Sequence, residues 1–250
     1  MNKQKGKQED LLEVIYYTDP LCCWSWAFEP QWRRLVYELK DKLNYRYCMG
    51  GLIPTWKNYN DSINSVTRPL QMGPVWMHAK ELSGMPVEHN IWMRDPPSSS
   101  YPACIAVKAA GLQSKEAEEN LLRLLREAVM IDGANIAKQE VIFSVAEKLA
   151  NIDQEFDAET FQEDFKGDNA VESFRKDLQE VQMKNISRFP TLIIKNQNNK
   201  AILVSGYRPY SFLIKAIKQL GDISELETIN TEDYKQYWPS LTHRELQEIG

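Results

Sequence analysis

Residues 19–30 read Asp-Pro-Leu-Cys-Cys-Trp-Ser-Trp-Ala-Phe-Glu-Pro (DPLCCWSWAFEP), and the fold turns on what lies either side of them. Before them, Glu13 to Thr18 (EVIYYT) is short, β-branched and aromatic, the composition of a strand. After them, Phe28, Trp32, Leu35, Val36, Leu39 and Leu43 recur at helical spacing. Pro30 removes a backbone donor and should kink or divide that helix. The stretch is therefore a strand-to-helix turn, and it carries Cys22 and Cys23. A thiol there meets free backbone donors and the positive end of a helix dipole, which favour a thiolate. A buried structural cysteine suits the same position equally well.

Working outward, Asn44 to Met49 (NYRYCM) alternates and ends at Gly50-Gly51, a second strand closing in a turn. Residues 54–102 are rich in proline, tryptophan and methionine and read as surface loops and short helices packed by their aromatics. Helical patterns follow from Pro102 to Ala110, through Leu121–Val129, through Ile136–Leu149 and through Val171–Val181, with a shorter helix around Phe161 and Phe165. The period then changes. Phe189-Pro190-Thr191 leads into LIIK (192–195), a polar NQNN turn and AILV (201–204), a β-hairpin. Pro209 to Leu220 forms a helix with proline near its first turn, and Thr242-x-x-Glu245 fits a capping box for a last short helix. This order predicts an α/β thioredoxin fold: a central mixed sheet flanked by helices, interrupted by a mainly helical insertion. The expected boundaries are a polar tail at 1–12, the first half of the fold at 13–53, the insertion at 54–186, the second half at 187–220 and an extension at 221–250.

Composition narrows the function classes. Of 250 residues 43% are hydrophobic and 26% charged, so the chain folds as a globular protein. A net charge of −5 gives no electrostatic reason to expect nucleic acid or an anionic membrane. The polar stretch Met1 to Asp10 lacks the apolar core of a secretory signal and no window suits a membrane span, so a cytoplasmic protein is expected. Four cysteines are too few for a disulfide scaffold. Metal binding has little support: Cys22 and Cys23 are adjacent, Cys48 and Cys104 stand alone, and His78, His89 and His243 have no ligand spacing. Cys48 and Cys104 read as core residues rather than resolving thiols, and Cys23 as a small apolar residue facing inward.

The quoted stretch resembles the motif of the DsbA-like thioredoxin-fold family, above all its cytoplasmic protein-disulfide isomerase branch, Asp-Pro-x-Cys-x-x-Cys-aromatic-Gly-Phe-x-Pro. Cys22 takes the place of the nucleophile, with Trp26, Phe28 and Pro30 matching the flank. Gly50-Gly51-Leu52 resembles the family's Gly-Gly-Leu, Phe189-Pro190-Thr191 its cis-proline loop, and Ser205-Gly206-Tyr207 the turn after the last strand. The resemblance implies Cys22, Ser25 and Pro190 as catalytic residues and Trp24, Phe189 and Thr191 as substrate contacts. It also implies a cis bond before Pro190, beside Cys22. One departure is decisive for mechanism: Ser25 replaces the second cysteine, so the motif is Cys-x-x-Ser and cannot store a disulfide. What remains for an enzyme is monothiol chemistry on protein or peptide disulfides, with no tightly bound cofactor and glutathione as co-substrate. The helix dipole then predicts a modestly acidic Cys22 thiol, opposed by Asp19 and Glu29 if they point at the sulfur. The alternative is a non-catalytic adaptor, since relatives of this family present clients to an ATP-dependent protease in Gram-positive bacteria. A kappa-class-like glutathione transferase or isomerase ranks last, because that group places serine first in the motif. No oligomeric state follows from the sequence.

Overall fold

The computed structural model describes residues 11–221 and 226–250; the polar tail anticipated at 1–12 falls almost wholly outside them. Strand β1 (Leu12–Thr18) runs into helix α1 (Cys23–Ala27) and then α2 (Glu29–Glu38). Phe28 is the joint between the two helices, and Pro30 sits in the first turn of α2, where its missing donor has no helical partner to lose. The division anticipated at Pro30 is thus present. Strand β2 (Leu43–Met49) follows.

Seven helices separate β2 from the hairpin: α3 (Met72–Ser83), α4 (Ile91–Arg94), α5 (Tyr101–Ala110), α6 (Lys115–Met130), α7 (Gln139–Ile152), α8 (Ala158–Lys166) and α9 (Asp168–Met183). Strands β3 (Thr191–Lys195) and β4 (Ala201–Ser205) come next, then α10 (Tyr210–Lys218), α11 (Thr231–Tyr237) and α12 (His243–Ile249). The sheet order is β2-β1-β3-β4. β1 and β2 are parallel, with Tyr16 opposite Tyr47, while β1–β3 and β3–β4 are antiparallel. The fold is a thioredoxin-like mixed sheet with helices, as the element order predicts.

Alternation along the strands divides the sheet's two faces. Leu12, Val14, Tyr16, Leu192, Ile194 and Val204 point into the main core, whereas Ile15, Tyr17, Cys48 and Ile193 pack with Val181 and Ile186 on the other side. α9 is tied to that second side by Asp177, which accepts the Met49 N–H at 2.9 Å, and by Glu180, which accepts from Tyr17 Oη and Arg46.

The stretch 54–102 departs from expectation. It holds a twelve-residue helix, α3, and its Trp76, Met85, Ile91 and Trp92 are buried rather than at the surface. Pro74 does not break α3 because it lies in the first turn. The main core runs without interruption from Val14 and Trp32 through Trp76, Leu125 and Phe161 to Leu213 and Trp238. α12 packs on α2, and Thr242 and Glu245 form the anticipated capping box. Among the described residues no helix is long and apolar enough to cross a membrane.

Candidate functional site

Asp19 organises the turn after β1. Its Oδ1 accepts the Leu21 N–H at 2.8 Å, a local turn that the aspartate's own side chain closes. Its Oδ2 accepts the Leu52 N–H at 2.6 Å, the Ser100 hydroxyl at 2.9 Å and the Cys104 thiol at 3.3 Å. One buried carboxylate therefore joins the β1–α1 turn, the Gly50-Gly51-Leu52 loop and α5. Burial pushes its pKa above the ordinary carboxylate value, while these donors restrain the rise.

Cys22 is the residue before α1 and only 3% exposed. Its Sγ donates to the Phe189 carbonyl at 3.7 Å, a contact that only the protonated thiol makes. The Phe189–Pro190 bond is cis, and it lies beside Cys22 as the resemblance implies. Three contacts hold that loop. The Gly206 N–H donates to the Pro190 carbonyl at 2.7 Å, the Thr191 hydroxyl donates to the Arg188 carbonyl at 2.7 Å, and it lies 3.2 Å from Ser205 Oγ. Gly50 makes room for the Phe189 ring: a Cβ there would fall 2.0 Å from Phe189 Cζ.

The expectation of a modestly acidic Cys22 is corrected by this geometry. Burial raises the thiol's pKa above its ordinary value, and the Asp19 carboxylate adds to the rise. Ser25 and the backbone donors of the first turn pull the other way without reversing it. The Ser25 hydroxyl is itself fully buried and makes no hydrogen bond of ordinary geometry. Cys23, Cys48 and Cys104 are buried as well, and burial raises all three. All four cysteines are free.

Cys22 opens onto a cavity of about 760 Å³. Trp24 lines it, half-buried and edge-on to His78 with ring centroids 5.5 Å apart. Phe189 and Gly206 line it, as do Tyr59 and Ile63 from residues 58–64. Trp76 belongs to the core and also backs the cavity lining. Of the six residues singled out from sequence, Cys22, Trp24 and Phe189 line the cavity. Ser25, Pro190 and Thr191 are buried behind its surface. Sequence reasoning missed the fourfold use of Asp19 and the contribution of residues 58–64. Asp19 stood in the quoted motif, but its partners lie as far off as Cys104. Among the described residues no three metal-ligating side chains come together.

A family model described as thioredoxin matches residues 16–215. Curated relatives include the "ClpXP adapter protein SpxH" of Halalkalibacterium halodurans, 29% identical over 87% of this chain and 70% of that protein. The protein of the same name from Shouchella clausii is 28% identical over 84% of this chain and 67% of its own length. Among solved structures, a candidate protein disulfide isomerase from Nitrosomonas europaea superposes with TM-score 0.70 at 21% identity, covering 84% of this chain and 97% of that one. The cytosolic disulfide reductase DsbM of Pseudomonas aeruginosa, solved also with GSH, gives 0.62 at 19% identity over 83% and 99%. At these identities the structural likeness speaks for the fold.

Proposed function

The chain belongs to the thioredoxin family, and from that premise we propose that it works as a non-catalytic adaptor, holding a client protein for the ClpXP protease in the cytoplasm. The observation that carries this reading is the state of Cys22: buried, neutral, and donating its proton to the Phe189 carbonyl. A nucleophilic cysteine needs its thiolate, and here burial and Asp19 oppose one. Ser25 supplies no second sulfur, so a mixed disulfide, once formed, has no resolving group within the motif. The same cavity with its fixed cis-proline loop retains what a binding module needs: a pre-formed concave surface with oriented backbone groups. The relatives named as ClpXP adapters support the choice of partner.

The test is a degradation assay with purified ClpX, ClpP and a client. Addition of this chain should accelerate client loss, and Cys22→Ser should act as well as the parent. No acceleration with any client bound by the relatives would refute the adaptor reading.

One observation favours a second reading. Cys22 lines the cavity beside the cis-proline loop, the position of a nucleophile in disulfide exchange. As a monothiol isomerase or reductase, its thiolate would attack a client disulfide, forming Cys22–S–S–client and releasing the other client sulfur as thiolate. Glutathione thiolate would then attack the mixed disulfide and free Cys22. Insulin reduction with glutathione, abolished by Cys22→Ser, would establish this reading.

A further inference from the structure

Two arginines that the thiol chemistry does not use bear on what the cavity grips. Arg188 precedes Phe189 and Arg208 follows Tyr207; both are exposed, and both line the cavity. Neither forms an ion pair with a carboxylate among the described residues. They flank two loops that meet at the cavity. The Arg188 side chain lies over the second loop, its Cδ 3.5 Å from where a Cβ on Gly206 would be. The two loops are joined by the Gly206–Pro190 hydrogen bond. Arg208 also lines the cavity, and its guanidinium lies 5.4 Å from the ring centroid of Phe212, a residue outside the lining.

The lining sets these two cationic side chains against a single carboxylate. Its one carboxylate, Asp61, is engaged by its own turn: Oδ1 accepts the N–H groups of Ile63 and Asn64, and Oδ2 the Asn64 amide at 2.6 Å. A chain of net charge −5 thus carries a pair of arginines at the one place where Cys22, Trp24 and Phe189 converge. The rest of the lining offers apolar surface, from Trp24 and Ile63 among others.

We propose that this cavity takes an extended client segment in which Asp or Glu neighbours an apolar side chain, with Arg188 and Arg208 as the counter-charges. The apolar side chain enters the cavity over Trp24 and the carboxylates meet the two guanidinium groups at the rim. Electrostatic complementarity of this kind selects partners even where each exposed pair contributes little on its own. The proposal rests on the adaptor reading and names the chemistry of its client.

Three fluorescein-labelled peptides of about eight residues test it by anisotropy. They share their apolar positions and carry Glu, Gln or Lys at the others. The Glu peptide should bind about tenfold tighter than the Gln peptide, the combined effect expected of two partly exposed pairs. The advantage should shrink as salt rises, because rim charges are screened. Arg188→Ala with Arg208→Ala should abolish the difference, and Arg188→Glu with Arg208→Glu should reverse it in favour of Lys. Both side chains are exposed, and a thermal melt checks that the variants remain folded.

Equal affinity for Glu and Gln, a preference that survives the double alanine variant, or no binding of any of the three peptides would overturn the proposal. So would glutathione binding that needs both arginines and excludes the Glu peptide, which would make the cavity a small-thiol site. Failure of the underlying adaptor reading is distinguishable. If the double glutamate variant still accelerates client degradation by ClpXP, the adaptor reading stands and the acidic-segment proposal falls. If the Glu peptide binds as expected while degradation never responds, only the adaptor reading falls.

Discussion

At Cys22, position and environment act against each other on one sulfur. The start of a helix offers partial positive charge, an effect of about 0.3–1 kcal/mol for an exposed anion. Removing the sulfur from water and setting it near Asp19 outweighs this, and the pKa rises. Asp19→Asn separates the contributions. With the charge gone the Cys22 pKa should fall, read as faster iodoacetamide alkylation at a given pH. The same change turns an amide NH2 toward backbone N–H groups that now donate to the carboxylate, at Leu21 or Leu52. Leaving one unsatisfied should lower unfolding stability by about 1–3 kcal/mol, measured in urea. The turn, the thiol and the proline loop were legible in sequence because strand, helix and hairpin periods locate them. The direction of the thiol's pKa was not. It depends on burial beneath Phe189, a residue 167 positions away, and no local spacing encodes that.

Elements meet through single atoms at two junctions. Gly50 ends β2 against the Phe189 ring, so Gly50→Ala must displace that ring or the loop behind it. Such overpacking should destabilise the fold by about 1–3 kcal/mol. It should also raise the alkylation rate of Cys22, because the Phe189 carbonyl moves with the ring. At the other junction Glu245 caps α12, taking the Thr242 N–H at 2.6 Å, and also receives Arg123 at 2.8 and 2.9 Å and Arg33 at 3.3 Å. Burial raises this carboxyl's pKa, and Arg33 with Arg123 overcome the rise, so the net shift is downward from 4.5. A carboxyl depressed in the folded state adds stability above its unfolded value that is lost as pH falls through the folded one. The docking of α12 on α2 should therefore weaken below about pH 4.5. Glu245→Gln should remove that part of the acid response and lower stability near pH 7 by about 1–3 kcal/mol, since Arg33 and Arg123 each lose one carboxylate while keeping Glu29 and, for Arg123, Glu127. The Thr-x-x-Glu signature announced the cap; it could not announce the arginines, which lie on α2 and α6.

On the scale of the molecule, the helices between β2 and β3 are structural partners of the sheet rather than a detachable lid. Trp26 Nε1 donates to the Pro86 carbonyl at 2.8 Å, and buried Arg126 on α6 reaches Glu29 at 2.6 Å and the Thr18 hydroxyl. Asp19 takes two of its donors from Ser100 and Cys104. A chain in which a short linker replaces residues 54–186 would strip Glu29 and Asp19 of these partners and expose the apolar residues that the helices cover. It should fail to fold, seen as collapsed amide dispersion in a proton–nitrogen NMR spectrum. Sequence periodicity marked most of these helices, but proline and aromatic density in residues 54–102 masked α3 and its buried tryptophan.

The distance along the chain between the two halves of the site has a consequence for synthesis. Cys22 and Phe189 are separated by 167 residues, and Arg33 and Glu245 by 212. At ribosomal rates of about 5–20 residues per second, roughly 8–33 s pass between translation of the thiol and of the loop that covers it. Throughout that interval the nascent chain has a cysteine turn but no gripping surface. A product truncated before the hairpin would be equally empty-handed. For a protein proposed to hand others to a protease, this timing would act as a safeguard, since recruitment would wait until the hairpin that follows Phe189 has been made.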